Sequence, residues 1–403
     1  MGQKKICFGG AYGIRSCGDD AALVQMVRML RARVGDFDGV VISRHAGDTT
    51  YTNLGLRTVA GLEFETGAEA AGKWFRGLNP GDDQADLCAL RDEIASSDLL
   101  ILGAGNAFID ITIDVLRGPV PLMTVLCGMA KMTGTPVMWY GMAVGPLTTQ
   151  YGRDLTRLAA SLTDRITLRD PGSGDLVREL APDAAPLVLP DPVLGLDVPG
   201  TLLAHNIEAW HEAHGRGVPV VPVSVRGLGD TTAAYTKAIA ETCDRLAVEW
   251  GATLLFVPQC TYTHGGPEQD DRTIAGEIIA QMNKADQAVM IDVPLDVDAC
   301  LSCYQESEVA LCTRLHGNVF AAMAGAVPVA IDYNPKVGAF MGFAGLSDLN
   351  AKLEDLSADD LMAKLELART SFTDYRAKIE QALDGSRSEI ERYGDVAAEL
   401  INS

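Results

Sequence analysis

Positive charge is scarce in this chain of 403 residues. It carries 33 lysine and arginine residues against 54 aspartate and glutamate residues, which gives a formal net charge of −21. Nucleic acids and anionic membrane surfaces are bound through clustered lysine and arginine side chains, so both are disfavoured as partners. An anionic small molecule would have to be held by a few local cations.

Long apolar runs and a regular cysteine pattern are also missing. No segment approaches the roughly 18 uninterrupted apolar residues of a membrane-spanning helix, and the first residues contain no run of signal-peptide length. The nine cysteines are scattered, several of them in apolar runs, as is typical of buried thiols in a reducing compartment. We therefore expect a cytoplasmic protein that does not span a membrane.

The length of the chain predicts two domains with a cleft, because single hydrophobic cores stop growing near ~250–300 residues. Glycine and proline cluster in Leu196–Pro219, where we place the junction. The prediction is an N-terminal domain over residues 1–200, a C-terminal domain over residues 201–345 and a helical, acidic tail over residues 346–403.

Short apolar runs that end in Gly, Pro or Asp alternate with amphipathic stretches along the whole chain. This pattern predicts an α/β protein of two Rossmann-like, doubly wound domains, each with a parallel sheet. The predicted strands are Lys5–Phe8, Gly39–Ser43, Leu99–Leu102, Val137–Tyr140, Arg165–Leu168, Leu187–Leu189, Val220–Val225, Thr253–Val257, Ala288–Asp292, Val309–Cys312 and Val327–Ile331.

A helix is predicted directly after the first strand and its loop. Apolar residues recur there at helical spacing, at Leu23, Val27, Leu30 and Val34. Asp19 or Asp20 is the predicted N-cap, and Gly35 is the predicted end of the helix.

The segment after the predicted strand Val309–Cys312 carries the strongest chemical signal. Arg314, His316 and Gly317 stand where that strand gives way to a helix. Cations beside backbone N–H groups at the positive end of a helix form an anion site. The alternative is that Arg314 pairs with a carboxylate and that His316 packs as a polar residue.

Two more cations follow predicted strands of the same domain. Lys336 comes shortly after the strand that ends at Ile331, and Arg226 ends a strand before two glycines that allow close backbone approach. Because ligands of open α/β sheets bind at the carboxyl edge, these side chains and Arg314 are expected to reach one crevice.

The first domain offers a glycine-rich turn and a strand-end cation of its own. The turn Phe8–Asp20 could let a sugar or a phosphate approach the backbone, although it has no P-loop motif. Gly103–Phe108 also follows a strand, but it lacks the third glycine of a dinucleotide fingerprint. Arg169 and Asp170 end another strand, where they could bind a ligand, form a structural ion pair, or do both.

Patterns typical of metal sites are weak. Cys300 and Cys303 form the only C-x-x-C motif and have no second pair, while His211 and His214 lack the spacing of a zinc protease helix. Asp296–Asp298 imitates a D-x-D motif, but Asp296 is better interpreted as a helix N-cap. We expect neither a metal ion nor a cofactor.

Taken in order, these segments resemble the polysaccharide pyruvyltransferase family. The likeness covers most of residues 1–346, although Ser16-Cys-Gly-Asp stands where the family often has Asn-x-Gly-Asp, so the acceptor sugar is left open. It is carried by Gly18-Asp19, Leu99–Gly105, Gly141–Pro146, Arg169-Asp170 with Ser173, Asp191-Pro192, Ser224 with Arg226, Arg314–Gly317, and Tyr333 with Lys336.

The resemblance implies a GT-B-like fold with the active cleft between its two domains, and phosphoenolpyruvate as the donor substrate. The donor's phosphate and carboxylate would be held by cationic side chains and by the turn that contains them. The predicted substrate-binding residues are Arg169, Arg226, Arg314, Leu315, Gly317 and Lys336.

The expected reaction moves the enolpyruvyl group to a saccharide or a lipid-linked saccharide, releases phosphate and leaves a cyclic pyruvate ketal. His316 is the candidate general acid that protonates the methylene carbon, and Asp19 or Asp20 is the candidate base unless both only cap the helix. The sequence leaves the oligomeric state open, and a homo-oligomer is one of the states considered.

Two other functions stay open. A glycosyltransferase of the same fold could bind the diphosphate of a nucleotide sugar with the same cations, and donor preference would distinguish it. A non-catalytic carbohydrate-binding relative would show no turnover.

Overall fold

The chain forms two compact units, residues 1–196 with 386–403 and residues 197–385. The computed structural model describes residues 3–45, 47–110, 118–199, 203–229, 232–263 and 269–403. Each unit is built on a parallel β-sheet with its own helices, which confirms the predicted α/β class.

The first unit contains a parallel sheet of seven strands. They are β1 (Lys4–Gly9), β2 (Phe37–Ser43), β3 (Leu56–Ala60), β4 (Leu99–Phe108), β5 (Val137–Val144), β6 (Arg165–Leu168) and β7 (Leu187–Val188). Their order in the sheet is β3-β2-β1-β4-β5-β6-β7. The strand order reverses between β1 and β4, which makes this pair the topological switch point of the unit.

The second unit contains a parallel sheet of six strands. They are β8 (Val220–Ser224), β9 (Thr253–Phe256), β10 (Ala288–Met290), β11 (Val309–Cys312), β12 (Val327–Asp332) and β13 (Asn350–Lys352). Their order is β10-β9-β8-β11-β12-β13, so the switch point of this unit lies between β8 and β11.

Helices connect the strands in both units. Those of the first unit are α1 (Cys17–Val34), α2 (Gly67–Ala70), α3 (Ala85–Ala95), α4 (Pro119–Thr133), α5 (Gln150–Ser161) and α6 (Pro171–Leu180). Those of the second unit are α7 (Glu208–Gly215), α8 (Thr232–Glu249), α9 (Asp271–Gln281), α10 (Val297–Ser302), α11 (Leu315–Ala324), α12 (Pro335–Phe343) and α13 (Ala358–Thr370). The last helix is α14 (Phe372–Asn402). Across the described ranges, none of the helices combines the length and the apolar character needed to cross a membrane.

The central strands are buried on both faces, which is why they appear in the sequence as continuous apolar runs. Every residue of β5 and of β11 is buried, and the rings of Phe108 and Trp139 stack 4.2 Å apart in the core of the first unit. The two strands that the sequence did not predict are β3 and β13, one at an edge of each sheet. Edge strands are short and only partly buried, so their apolar signal is weak.

The structure divides the region predicted as a separate tail. Residues 346–385 belong to the second unit, whereas residues 386–403 of α14 belong to the first. Ile390 and Tyr393 are fully buried there, and Tyr393 donates a hydrogen bond to the carbonyl of Pro190 at 3.0 Å. Arg33 adds ion pairs to Glu391 and Asp395 on the same helix.

The cysteines follow the predicted pattern of buried thiols. Eight of the nine are buried, and Cys88 on α3 is half-buried. Burial raises the pKa of the Cys7 thiol to about 12 and that of Cys127 to about 11, so both stay protonated at neutral pH.

The buried side of α14 should be essential to the first unit. Ile390→Ala is expected to lower the free energy of unfolding by about 2–5 kcal/mol, because the side chain is fully buried and its methyl group packs against Gly195. Met132→Ala is the control, since Met132 is 82% exposed on α4. Chemical denaturation of both variants measures the difference; equal stabilities would show that α14 is dispensable for the core.

Candidate functional site

The switch point of the second unit places two of the predicted cations side by side. Arg226 follows the carboxyl end of β8, and Arg314 follows the carboxyl end of its neighbour β11 and caps helix α11. The hydroxyl of Tyr235 ties the two strand ends together, because it accepts the backbone N–H of Arg226 at 3.3 Å and lies 2.7 Å from the hydroxyl of Thr313. The residues therefore gather where ligands of open α/β sheets bind.

Arg314 is committed to a buried carboxylate, which is the alternative that its sequence context left open. Its Nε lies 3.1 Å from both carboxylate oxygens of Asp271, and its Nη2 donates to one of them. Asp271 is fully buried and also accepts the backbone N–H groups of Gln259 and Cys260. Burial alone would lower the pKa of the Arg314 guanidinium, but the carboxylate outweighs burial and raises it. Within the described part of the chain, Nη1 of Arg314 has no hydrogen-bond partner.

Gly317 allows α11 to approach the end of β8. A Cβ atom on this glycine would lie 2.8 Å from Oγ and 2.9 Å from Cβ of Ser224. A larger residue would push the first turn of the helix away from the strand. Leu315 is buried and His316 is half-buried in the same turn, and the His316 ring lies 6.2 Å from that of Phe320. Backbone N–H groups in this first turn have no acceptor within the helix.

Tyr333 lies among the three cations and was not among the predicted site residues. Nη1 of Arg226 donates to its hydroxyl at 2.9 Å, and the Arg226 guanidinium lies 4.8 Å from the ring centroid. The Lys336 ammonium lies 5.9 Å from the same centroid. Burial by itself would raise the pKa of the phenol, but the charges of Lys336, Arg226 and Arg314 outweigh burial and lower it to about 8. The structure thus brings together the predicted residues Arg226, Arg314 and Lys336.

Helix α1 in the first unit begins earlier than predicted, which corrects the proposed N-cap. Ser16 occupies the N-cap position, so Asp19 and Asp20 lie inside the first turn, where the helix dipole favours carboxylates. Gly35 ends the helix as predicted. Asp19 lies against the carboxyl end of β4, since a Cβ atom on Gly105 would come within 2.5 Å of its Oδ1. The two aspartates therefore lie at the β1–β4 switch point.

Asp20 has the electrostatic character of an acid–base group. It accepts a hydrogen bond from the hydroxyl of Tyr51 at 2.9 Å, and that hydroxyl in turn accepts the backbone N–H of Gly13 at 2.9 Å. The pKa of Asp20 is raised to about 7. Burial is the main cause, the charges of Asp19 and Asp48 act in the same direction, and the hydrogen bond from Tyr51 opposes them. A carboxyl group with this pKa exchanges protons near neutral pH.

Arg169 directly follows β6 in the first unit, and its side chain is only 4% exposed. Its Nη1 donates to Asp191 at 3.0 Å, 22 residues further along the chain. The adjacent Asp170 instead caps α6, where it accepts the backbone N–H and the hydroxyl of Ser173. The ion pair of Arg169 with Asp170 that the sequence suggested is therefore not formed, and Arg169 pairs with Asp191 instead.

The described ranges contain no group of three His, Cys, Asp or Glu side chains arranged to hold a metal ion. Asp296 caps α10, because its carboxylate accepts the backbone N–H of Ala299 at 2.8 Å. The interpretation of the D-x-D motif as a helix cap is confirmed.

The fold is GT-B-like and resembles that of solved glycosyltransferases and epimerases. HepE from Anabaena, solved in complex with UDP, is similar at a TM-score of 0.60 and 12% identity, over 99% of each chain. A glycosyltransferase from Rickettsia africae is similar at a TM-score of 0.63 and 11% identity over the whole of both chains. A UDP-GlcNAc 2-epimerase from Methanocaldococcus jannaschii reaches 0.60 at 10% identity, over 90% of this chain and 92% of the epimerase. At such identities the likeness concerns the fold alone.

Within this fold class the sequence identifies the family. The family model of the polysaccharide pyruvyl transferases matches residues 17–335. The chain therefore belongs to the polysaccharide pyruvyl transferase family, as its resemblance had indicated, and membership places it among transferases. No curated protein matches the sequence significantly.

Loss of the Asp271 carboxylate should destabilise the second unit. Asp271→Asn leaves the Arg314 guanidinium without its counter-charge in a buried position, which is expected to cost about 3–5 kcal/mol of the free energy of unfolding. Asp359→Asn is the matched control, because Asp359 also pairs with an arginine, Arg245, at 2.9 Å but is 98% exposed. Urea denaturation checks this: a loss no larger than that of the control would contradict a structural role for the buried pair.

The raised pKa of Asp20 should appear in the pH dependence of stability. An unfolded chain releases this proton near the ordinary value of 3.8, whereas the folded protein keeps it up to about 7. Between these values the folded state holds the extra proton, so its stability must fall as the pH rises. Asp20→Asn should remove this fall. Thermal unfolding at pH 5 and pH 8 measures it, and parallel curves for the two proteins would show that Asp20 ionises normally.

Proposed function

We propose that this protein transfers the enolpyruvyl group of phosphoenolpyruvate to a sugar hydroxyl and forms a pyruvate ketal with release of phosphate. The observation that carries the proposal is the gathering of Arg226, Arg314 and Lys336 around Tyr333, beside the N-terminal end of α11. In a chain with a net charge of −21, three cations at one sheet edge favour a small, highly charged anion.

The donor would bind at this edge in the second unit. Guanidinium groups suit carboxylate and phosphate oxygens because they offer parallel N–H donors, and Nη1 of Arg314 is available for this while Asp271 fixes the other side of the group. Lys336 lies in the first turn of α12 and would add a further positive charge. Leu315 and Gly317 would contribute to donor binding through the first turn of α11, which they help to form.

His316 is the proposed general acid. It occupies the second position of α11, two residues after Arg314, so a donor held by the guanidinium would lie next to the imidazole. Protonation of the methylene carbon by His316 would make C2 electrophilic. An acceptor hydroxyl then attacks C2, phosphate leaves with its bonding electron pair, and a second hydroxyl of the same sugar closes the ketal.

Asp20 is the proposed base for the acceptor, and its pKa of about 7 supports this choice over Asp19. A base with this pKa is half deprotonated near neutral pH and can take a hydroxyl proton. Arg169 is also proposed to handle the donor, although its side chain is buried against Asp191.

The similarity to HepE, which was solved with UDP, and to a UDP-GlcNAc 2-epimerase keeps a nucleotide-sugar donor as the competing function. They share only the fold with this chain, at 12% identity or less. The family match favours pyruvyl transfer, and the test of the proposal includes both donors.

Phosphoenolpyruvate should bind the folded protein and raise its unfolding temperature. At a concentration a hundredfold above the dissociation constant the gain is about 2.7 kcal/mol, and salt should reduce it because the contacts are ionic. Lys336→Ala should lose most of the shift. Lys378→Ala is the matched control, since Lys378 also lies beside a tyrosine ring, at 4.7 Å from Tyr375. Stabilisation by UDP-sugars with none by millimolar phosphoenolpyruvate would overturn the proposal.

Turnover should depend on His316. With a panel of saccharide acceptors and phosphoenolpyruvate, mass spectrometry is expected to find a product heavier by one pyruvyl group. His316→Ala should lower its rate of formation by roughly 10²–10⁴, the usual contribution of a general acid or base, while binding of phosphoenolpyruvate is largely kept. A variant that turns over like the wild type would remove His316 from the mechanism.

A further inference from the structure

Tyr333 has contacts to the anion site that no step of the proposed reaction uses. Its hydroxyl accepts the hydrogen bond of Arg226 Nη1 at 2.9 Å, and its ring faces the same guanidinium at 4.8 Å. One side chain thus contacts the arginine both through its hydroxyl and through its π face. Together these contacts restrict the position and the orientation of the guanidinium.

Arg226 needs such an anchor, whereas Tyr333 is itself held in place. Arg226 stands in the irregular segment after β8, where its other side-chain hydrogen bond is a 3.3 Å contact to the carbonyl of the next residue, Gly227. Tyr333 follows β12 directly, and its backbone N–H donates to the carbonyl of Ile331 at 3.1 Å. Asn334 then caps α12 through the backbone N–H of Lys336. Tyr333 therefore fixes the side chain of Arg226, which lies on a loop, relative to the turn between β12 and α12.

We propose that Tyr333 is a positioning residue of the anion site. It holds the Arg226 guanidinium in place for a divalent oxyanion, and when its phenol ionises, the negative charge offsets one positive charge of the site. Only the identification of that oxyanion with phosphoenolpyruvate rests on the proposed function. The role itself follows from the contacts with Arg226 and applies to any small dianion that binds there.

Cations surround the phenol on several elements. Arg226 faces it from the segment after β8, Arg314 from the N-cap of α11 and Lys336 from α12. Two carboxylates of the described residues in this unit have partners of their own: Asp271 pairs with Arg314, and Asp332 accepts from Asn350 and Lys352. The resulting pKa of about 8 means that the phenol becomes an anion within the working range of many enzymes. Once ionised, it competes with a bound oxyanion for the same cations.

Sulfate is the probe for the ionisation of Tyr333, because it carries two negative charges throughout the range from pH 7 to pH 9. A change in its affinity over this range therefore reflects the protein and not the ligand. We expect the dissociation constant for sulfate, measured by calorimetry, to rise about tenfold over this range in the wild type. Tyr333→Phe should bind sulfate roughly threefold to tenfold more weakly at pH 7, since it lacks the hydrogen bond, and its affinity should be nearly independent of pH. Tyr333→Leu, which also lacks the ring, should bind still more weakly.

Tyr375→Phe is the matched control, because Tyr375 belongs to the same unit and also has a lysine, Lys378, over its ring. It should keep the affinity and the pH dependence of the wild type. The unaltered protein gives an independent measurement: tyrosinate absorbance near 295 nm should rise with a midpoint near pH 8, and sulfate should move that midpoint upwards. In turnover assays, Tyr333→Phe should raise KM for phosphoenolpyruvate more than it lowers kcat.

The outcomes separate the two proposals. If the wild type and Tyr333→Phe bind sulfate equally at both pH values, the role of Tyr333 is wrong and the proposed function is untouched. If sulfate behaves as expected but phosphoenolpyruvate is not used in transfer, the proposed function is wrong and the role of Tyr333 stands. If the wild type binds neither anion, both are wrong.

Discussion

The buried carboxylate of Asp271 is the constraint on which the second unit's site depends. It has no exposed surface, so its charge must be compensated locally by the Arg314 guanidinium and by the backbone N–H groups of Gln259 and Cys260. In meeting that requirement, the carboxylate connects the segment after β9 to the N-cap of α11. The orientation of the Arg314 guanidinium therefore depends on this one anion.

The predicted cations are held in two different ways. Arg314 and Arg169 each face a buried or nearly buried carboxylate, which cancels most of their charge. Arg226 and Lys336 instead face Tyr333, a neutral phenol below its pKa of about 8. A neutral phenol can orient a cation without placing a negative charge beside it.

The sequence predicted what depends on local pattern and missed what depends on distant partners. The buried strand β11 was located at its observed bounds, because a parallel strand covered on both faces is apolar throughout. The edge strand β13 consists of Asn350-Ala-Lys352, which has no such pattern. Four strand-end cations were found by their position. Asp191 and Asp271, the carboxylates that pair with Arg169 and Arg314, were not, because they lie 22 and 43 residues away in the chain. The central place of Tyr333 likewise depends on Arg226, 107 residues earlier in the chain.

The uneven burial of the cysteines has a practical consequence for spectroscopy. With eight thiols enclosed in the two cores, Cys88 on α3 is the one that a maleimide or iodoacetamide reagent can reach most readily in the folded protein. A fluorophore or spin label could therefore be attached to the first unit at a single native position. A second thiol introduced on the surface of the second unit would then give a labelled pair for distance measurements in solution, without first removing any native cysteine.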